Sequence, residues 1–242
     1  MFRPLVLLLS FSLTAPLVLS AQQQPASAKS EAADRDAPWM VESRKRHDEL
    51  VARNGLGKDA ALQAQLLAMR DTDQDARGVA HGEAKDKDKL RMATNMSEID
   101  TQLTAELKDI VAKHGWPTIA TVGIDASNAA MLVLTHTTDH AWQLSLLPLL
   151  TKLADEGRID GAPLALVIDK ELVSEGKLQR YGTQFKYVDG AMAMYGVEDP
   201  GGLDTERARL GLPPMDVYKQ QLEAMYHLKA TEKVVMATAP AK

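Results

Sequence analysis

From residue 38 onward, apolar positions recur at the three-to-four-residue spacing of helices. In PWMVESRKRHDELVARNG (38–55), Pro38 suits a first helical turn and Gly55 a stop. The next run, KDAALQAQLLAMRDTDQDAR (58–77), stacks Leu62, Leu66 and Met69 into one core-facing stripe. Gly78 and Gly82 loosen the adjoining stretch, and AKDKDKLRM (84–92) alternates charge as a solvated helix start does. Ile99, Leu103, Leu107, Ile110 and Val111 then form the apolar face of a helix from about Ser97 to Lys113.

The pattern changes at GWPTIATVGID (115–125), where Pro117, Gly123 and β-branched residues predict a shaped loop with at most a short strand. Asp125 is the expected N-cap of the helix ASNAAMLVLTH (126–136). Thr137, Thr138 and Asp139 mark a break and a new cap before HAWQLSLLPLLTKLADEG (140–157), in which Pro148 predicts a kink. Pro163 opens a further helix through Leu164, Ile168 and Leu172, stopped by Gly176. In TQFKYVDGAMAMYGV (183–197), strand-like residues flank Asp189-Gly190, a strong hairpin signal. EDPGGLD is a turn-rich loop, PPMDVYKQQLEAMYHLK a last amphipathic helix, and 229–242 a flexible tail. The expected fold is mainly α: one helical domain over 38–228 with a small β-hairpin at about 183–197.

Composition and the N-terminus add a location. Apolar residues make up 45% of 242 and charged residues 25%, which suits one globular domain. MFRPLVLLLSFSLTAPLVLSA carries one basic residue, an uncharged apolar run and small residues at Ser20 and Ala21. It therefore reads as a secretory signal over 1–21, cleaved near Ser20-Ala21. The run is short of the about 20 apolar residues of a membrane span. Residues 22–37 are a polar spacer. The absence of cysteine excludes disulfides, thiol catalysis and Cys-based metal sites. A net charge of −5 without a basic block argues against nucleic-acid and anionic-lipid partners. The expectation is a bacterial periplasmic or secreted protein with no stable membrane insertion after signal cleavage.

Several short motifs together carry a family likeness: GWPT (115–118), ASNAAM (126–131), TH (135–136), LPLL (147–150), DK (169–170), QRYGTQF (179–185), EDP (198–200) and GLPPM (211–215). With MRDTDQDAR (69–77) upstream, they resemble an uncharacterised bacterial family, domain-of-unknown-function family 6624, over about residues 62–220. Met131 stands where the family pattern has an aromatic residue, and Thr135 where it has Gln. The resemblance implies a helix-rich fold and supplies no reaction.

The candidate chemistry is polar rather than metallic. His136 and His140 have an i, i+4 metal-ligand spacing, but no third ligand accompanies them and 137–139 break the helix between, so no metal is expected. No cofactor fingerprint and no GxSxG occur. His136 is a candidate general base, with Asp73, Asp125, Asp139 and Asp169 as carboxylate partners and Asp169 the first choice. Gln179, Arg180, Tyr181, Thr183 and Gln184 offer donors and acceptors suited to a polar ligand, or to satisfying a loop's own backbone. Trp116 either anchors the core or lines the same cleft, while Trp39 and Trp142 read as core or interface residues. The leading expectation is a non-catalytic protein that binds a polar small molecule, peptide or envelope protein through Trp116, His136, Gln179, Tyr181, Thr183 and Gln184. The alternatives are an envelope hydrolase using His136 with a carboxylate, and a scaffold without a pocket.

Overall fold

The computed structural model describes residues 38–78 and 93–238. The signal segment, the polar spacer, the charged run 84–92, the end of the tail and the side chain of Trp39 lie outside the described residues.

Helices α1 (Pro38–Asn54), α2 (Ala60–Ala76), α3 (Met96–His114), α4 (Ile119–Val122), α5 (Ile124–His136), α6 (His140–Asp155) and α7 (Gly161–Ser174) come first. Strands β1 (Phe185–Val188) and β2 (Ala191–Tyr195), helices α8 (Leu203–Arg209) and α9 (Met215–Tyr226), and strand β3 (Ala230–Val235) complete the order. The fold is mainly α, with one small sheet.

Helix α5 is the centre. Ala126, Ala129 and Ala130 are buried, and such small side chains let neighbouring helices approach closely. The stripe Leu62, Leu66, Met69 of α2 packs there with Leu103 and Leu107 of α3, Leu146 and Leu150 of α6 and Leu164 of α7. A second core joins sheet to helix: Phe185 and Met192 pack on Tyr218 and Leu222 of α9. A third, Ala165, Tyr181, Leu210 and Leu212, ties α7 to the later loops.

The hairpin forms where expected. Asp189 and Gly190 both take positive φ (51° and 86°), as a two-residue turn of this kind requires, and Phe185 pairs with Met194 and Val188 with Ala191. Three local expectations are corrected. GWPTIATVGID holds the short helix α4 instead of a strand. Asp125 lies in the first turn of α5, whose N-cap is Gly123. Residues 230–235 are not a free tail but strand β3, parallel to β2. Glu232 and Lys233 hide β3 in the sequence, yet charge is common on a short edge strand, where it discourages further pairing. Pro148 sits inside α6, and Asp139 caps that helix by accepting from the Trp142 N–H at 3.0 Å.

Candidate functional site

The segment QRYGTQF is held between two buried charges. The Asp169 carboxylate, on α7, accepts from the backbone N–H groups of Arg180 (2.7 Å), Tyr181 (3.0 Å) and Thr183 (2.9 Å), and from the Thr183 hydroxyl (2.9 Å). Burial pushes the Asp169 carboxyl up from its ordinary range, against the pull of these donors. From the other side Arg207 of α8, fully buried, donates to the carbonyls of Tyr181 and Pro213 and lies 4.6 Å from the Tyr218 ring centre. Gln179 donates to the Tyr195 carbonyl (2.7 Å) and accepts from the Gln184 N–H (2.8 Å), tying the segment to the sheet. The Gln184 amide donates to the Thr183 hydroxyl at 3.1 Å, and Arg209 donates to the Tyr181 hydroxyl at 3.0 Å. The polar atoms of this segment thus serve the chain's own backbone and side chains.

The next residue on α7 lies close enough to His136 to act on its charge. Lys170, the residue after Asp169, donates to the Thr135 carbonyl at the end of α5. His136 Nδ1 lies 2.7 Å from Asp73 Oδ1 on α2, and both side chains are almost fully buried. Asp73 also receives Arg77 (3.0 Å) and the Gln74 amide (2.8 Å), and Arg77 reaches on to Asp100 of α3 at 2.8 Å. The motifs DQDAR, TH and DK therefore converge on one buried polar cluster. Burial holds the His136 imidazole below its ordinary value, although Asp73 pulls the other way. Burial likewise lowers Lys170. His136 Nε2 has no partner among the described residues. A neutral imidazole oriented by a carboxylate through Nδ1–H is the arrangement of a general base.

A cleft of about 160 Å³ opens between α1, α5, the start of α7 and α9. Its apolar floor is Ile124, Ala129, Leu132, Leu166, Leu212 and Pro213. Both arginines that line it are paired, Arg46 forking onto Asp160 (2.7 and 3.0 Å) and Arg70 holding Asp71 (2.7 Å), while the Asp125 and Glu42 carboxylates stand at its rim. The Arg46 guanidinium packs against Gly211, where a Cβ would fall 0.7 Å from it, and the φ of +70° at this position favours glycine. Asn128 of α5 and Gln221 of α9 line the cleft and have no hydrogen-bond partner among the described residues.

The residues singled out in the sequence separate into three places. Trp116 is in the helical core, 5% exposed. His136 pairs with Asp73 and not with Asp169. Gln179, Tyr181, Thr183 and Gln184 gather on Asp169 and the sheet. None of the six lines the cleft. His140 bonds Glu171 at 3.0 Å, and no group of three His, Cys, Asp or Glu side chains suited to a metal occurs among the described residues. Asn128 and Gln221 escape a reading of the sequence because each sits in a helix pattern like any surface amide. Only the third dimension leaves them facing a cavity.

The chain matches the model of a family of unknown function, DUF6624, over residues 60–231. Neither the curated proteins nor the solved structures contain a match to it.

Proposed function

The chain belongs to the DUF6624 family of unknown function, and we propose that this member binds a small, neutral, amide-bearing molecule in the cleft between α1, α5, α7 and α9. The observation that carries the reading is the pair of uncommitted carboxamides, Asn128 and Gln221, beside an apolar floor whose two lining arginines are already engaged by Asp160 and Asp71. A carboxamide both donates and accepts, so two of them suit a ligand that does the same, such as a primary amide, a lactam or a peptide bond. A cavity of about 160 Å³ limits the buried part to about one ring or one side chain, since an engineered cavity of about 150 Å³ holds benzene. The reading of residues 1–21 as a secretory signal supports a binding role in the periplasm or outside the cell.

Thermal denaturation with benzamide, a lactam and an N-acetylated amino-acid amide tests the reading. At least one should raise the midpoint saturably in the parent and not in Leu132→Trp, which fills the cleft. Equal shifts in parent and variant, or none with any probe, would sink it.

A second reading, hydrolysis with His136 as base, draws on the Asp73–His136 contact and the free Nε2. Its first requirement is a hydroxyl group held at Nε2.

A further inference from the structure

The charges that line the cleft are unevenly matched. Each of its basic side chains already has an acidic partner: Arg46 forks onto Asp160, Arg70 holds Asp71, and His47 Nδ1 lies 3.3 Å from Asp48 Oδ1. Its acidic side chains are not matched in the same way. Asp125 bonds nothing among the described residues, and Glu42 has only Lys45, 4.0 Å away with both side chains more than half exposed. An ion pair so exposed contributes little. Asp125 lies three residues before Asn128 on α5 and both line the cleft, so the two share one helix face, with about 5–6 Å between their Cβ atoms. Gln221 lines the same cleft, only 3% exposed and without a hydrogen-bond partner among the described residues. A polar group held by these two carboxamides therefore stands beside a free carboxylate, and no cation lining the cleft is free to meet it.

We propose that Asp125 and Asp160 make the cleft choose amides over the corresponding carboxylic acids. The inference rests on the amide reading and adds its specificity. A carboxamide and a carboxylate have nearly the same shape, and the amide groups of Asn128 and Gln221 can donate to either. Charge separates them. Asp125 repels an anion held at Asn128, since that separation is inside the screening length of about 8 Å at physiological salt. Asp160 acts by occupation. Its Oδ1 takes both Nε and Nη2 of Arg46, the planar fork that would otherwise receive a ligand carboxylate. A carboxylate that enters gives up its water without gaining a counter-charge. Among peptides, the class this favours is an internal peptide bond or a side-chain amide, and the class it rejects is a free C-terminus.

The test compares matched pairs, benzamide with benzoate and N-acetylleucinamide with N-acetylleucine, by calorimetry on the full chain at neutral pH, where both acids are ionised. In the parent each amide should bind at least about tenfold tighter than its acid. Asp125→Asn should narrow that ratio about threefold, the effect of one unit charge about 6 Å away in water. Asp160→Asn keeps a side-chain acceptor for the Ala162 N–H that Asp160 caps. It also releases Arg46, so it should narrow the ratio about tenfold or more. Equal affinity for amide and acid in the parent overturns the proposal, as does a ratio that either variant leaves unchanged. Those failures leave the amide reading standing, because an amide has still bound. If neither amide binds the parent, the proposal falls alone when a lactam still raises the midpoint, and together with the amide reading when no probe does.

Discussion

Asp169 and Arg207 are opposite charges, both buried, that meet through the backbone between them instead of through each other. The carboxylate takes the N–H groups of the segment 180–183, the guanidinium takes a carbonyl of the same segment, and each desolvated charge is thereby supplied with hydrogen bonds. His136 shows a different use of burial. Its imidazole is held below its ordinary value, while in the unfolded chain it titrates near about 6.5. The unfolded state therefore binds the proton more readily. The stability this residue contributes is full above the unfolded value and is lost as pH falls from there toward the folded value. Urea unfolding of the parent and of His136→Gln between pH 7.5 and 5 should show the parent losing more stability on acidification, with an excess slope of at most about 1.4 kcal/mol per pH unit. Parallel curves would mean that the imidazole is not desolvated as described.

At the scale of elements, the long helices were legible because their apolar stripes have one period and their ends carry proline, glycine or a capping aspartate. Asp139 before α6 and Gly55 after α1 both act as the sequence indicates. Strand β3 was not legible, since a short charged edge strand gains its pairing from β2 and not from its own pattern. The candidate site was legible in part. His136 and Asp73 stood out as chemistry, but only packing chooses Asp73 over Asp169, because two aspartates look alike until their helices are placed. The amides of 179–184 were equally suited to a ligand or to the backbone, and the tertiary fold decides. Helix α1 is loosely held. It lies before the family-matched residues, walls the cleft with Arg46 and His47, and none of its side chains from Met40 to Asn54 is fully buried. Hydrogen exchange should show α1 opening well below the global unfolding free energy and α5 exchanging only near it. Equal protection of the two helices would show that α1 is part of the cooperative core.

For the whole molecule, polar groups divide between two tasks. Those around Asp169 join the sheet to the helical core, and those in the cleft are left facing outward over an apolar floor. A protein kept for binding tolerates loss of a ligand-facing group far better than loss of a buried structural one. The measurement that tests this division most directly is the urea unfolding free energy of Gln179→Ala beside that of Asn128→Ala. Gln179 holds the Gln184 N–H and the Tyr195 carbonyl in a buried setting, so its loss should cost about 3 kcal/mol. Asn128 bonds nothing among the described residues, so its loss should change stability by less than about 0.5 kcal/mol. The reverse order, a neutral Gln179→Ala and a destabilising Asn128→Ala, would place the ligand-facing groups at the QRYGTQF segment and contradict the account.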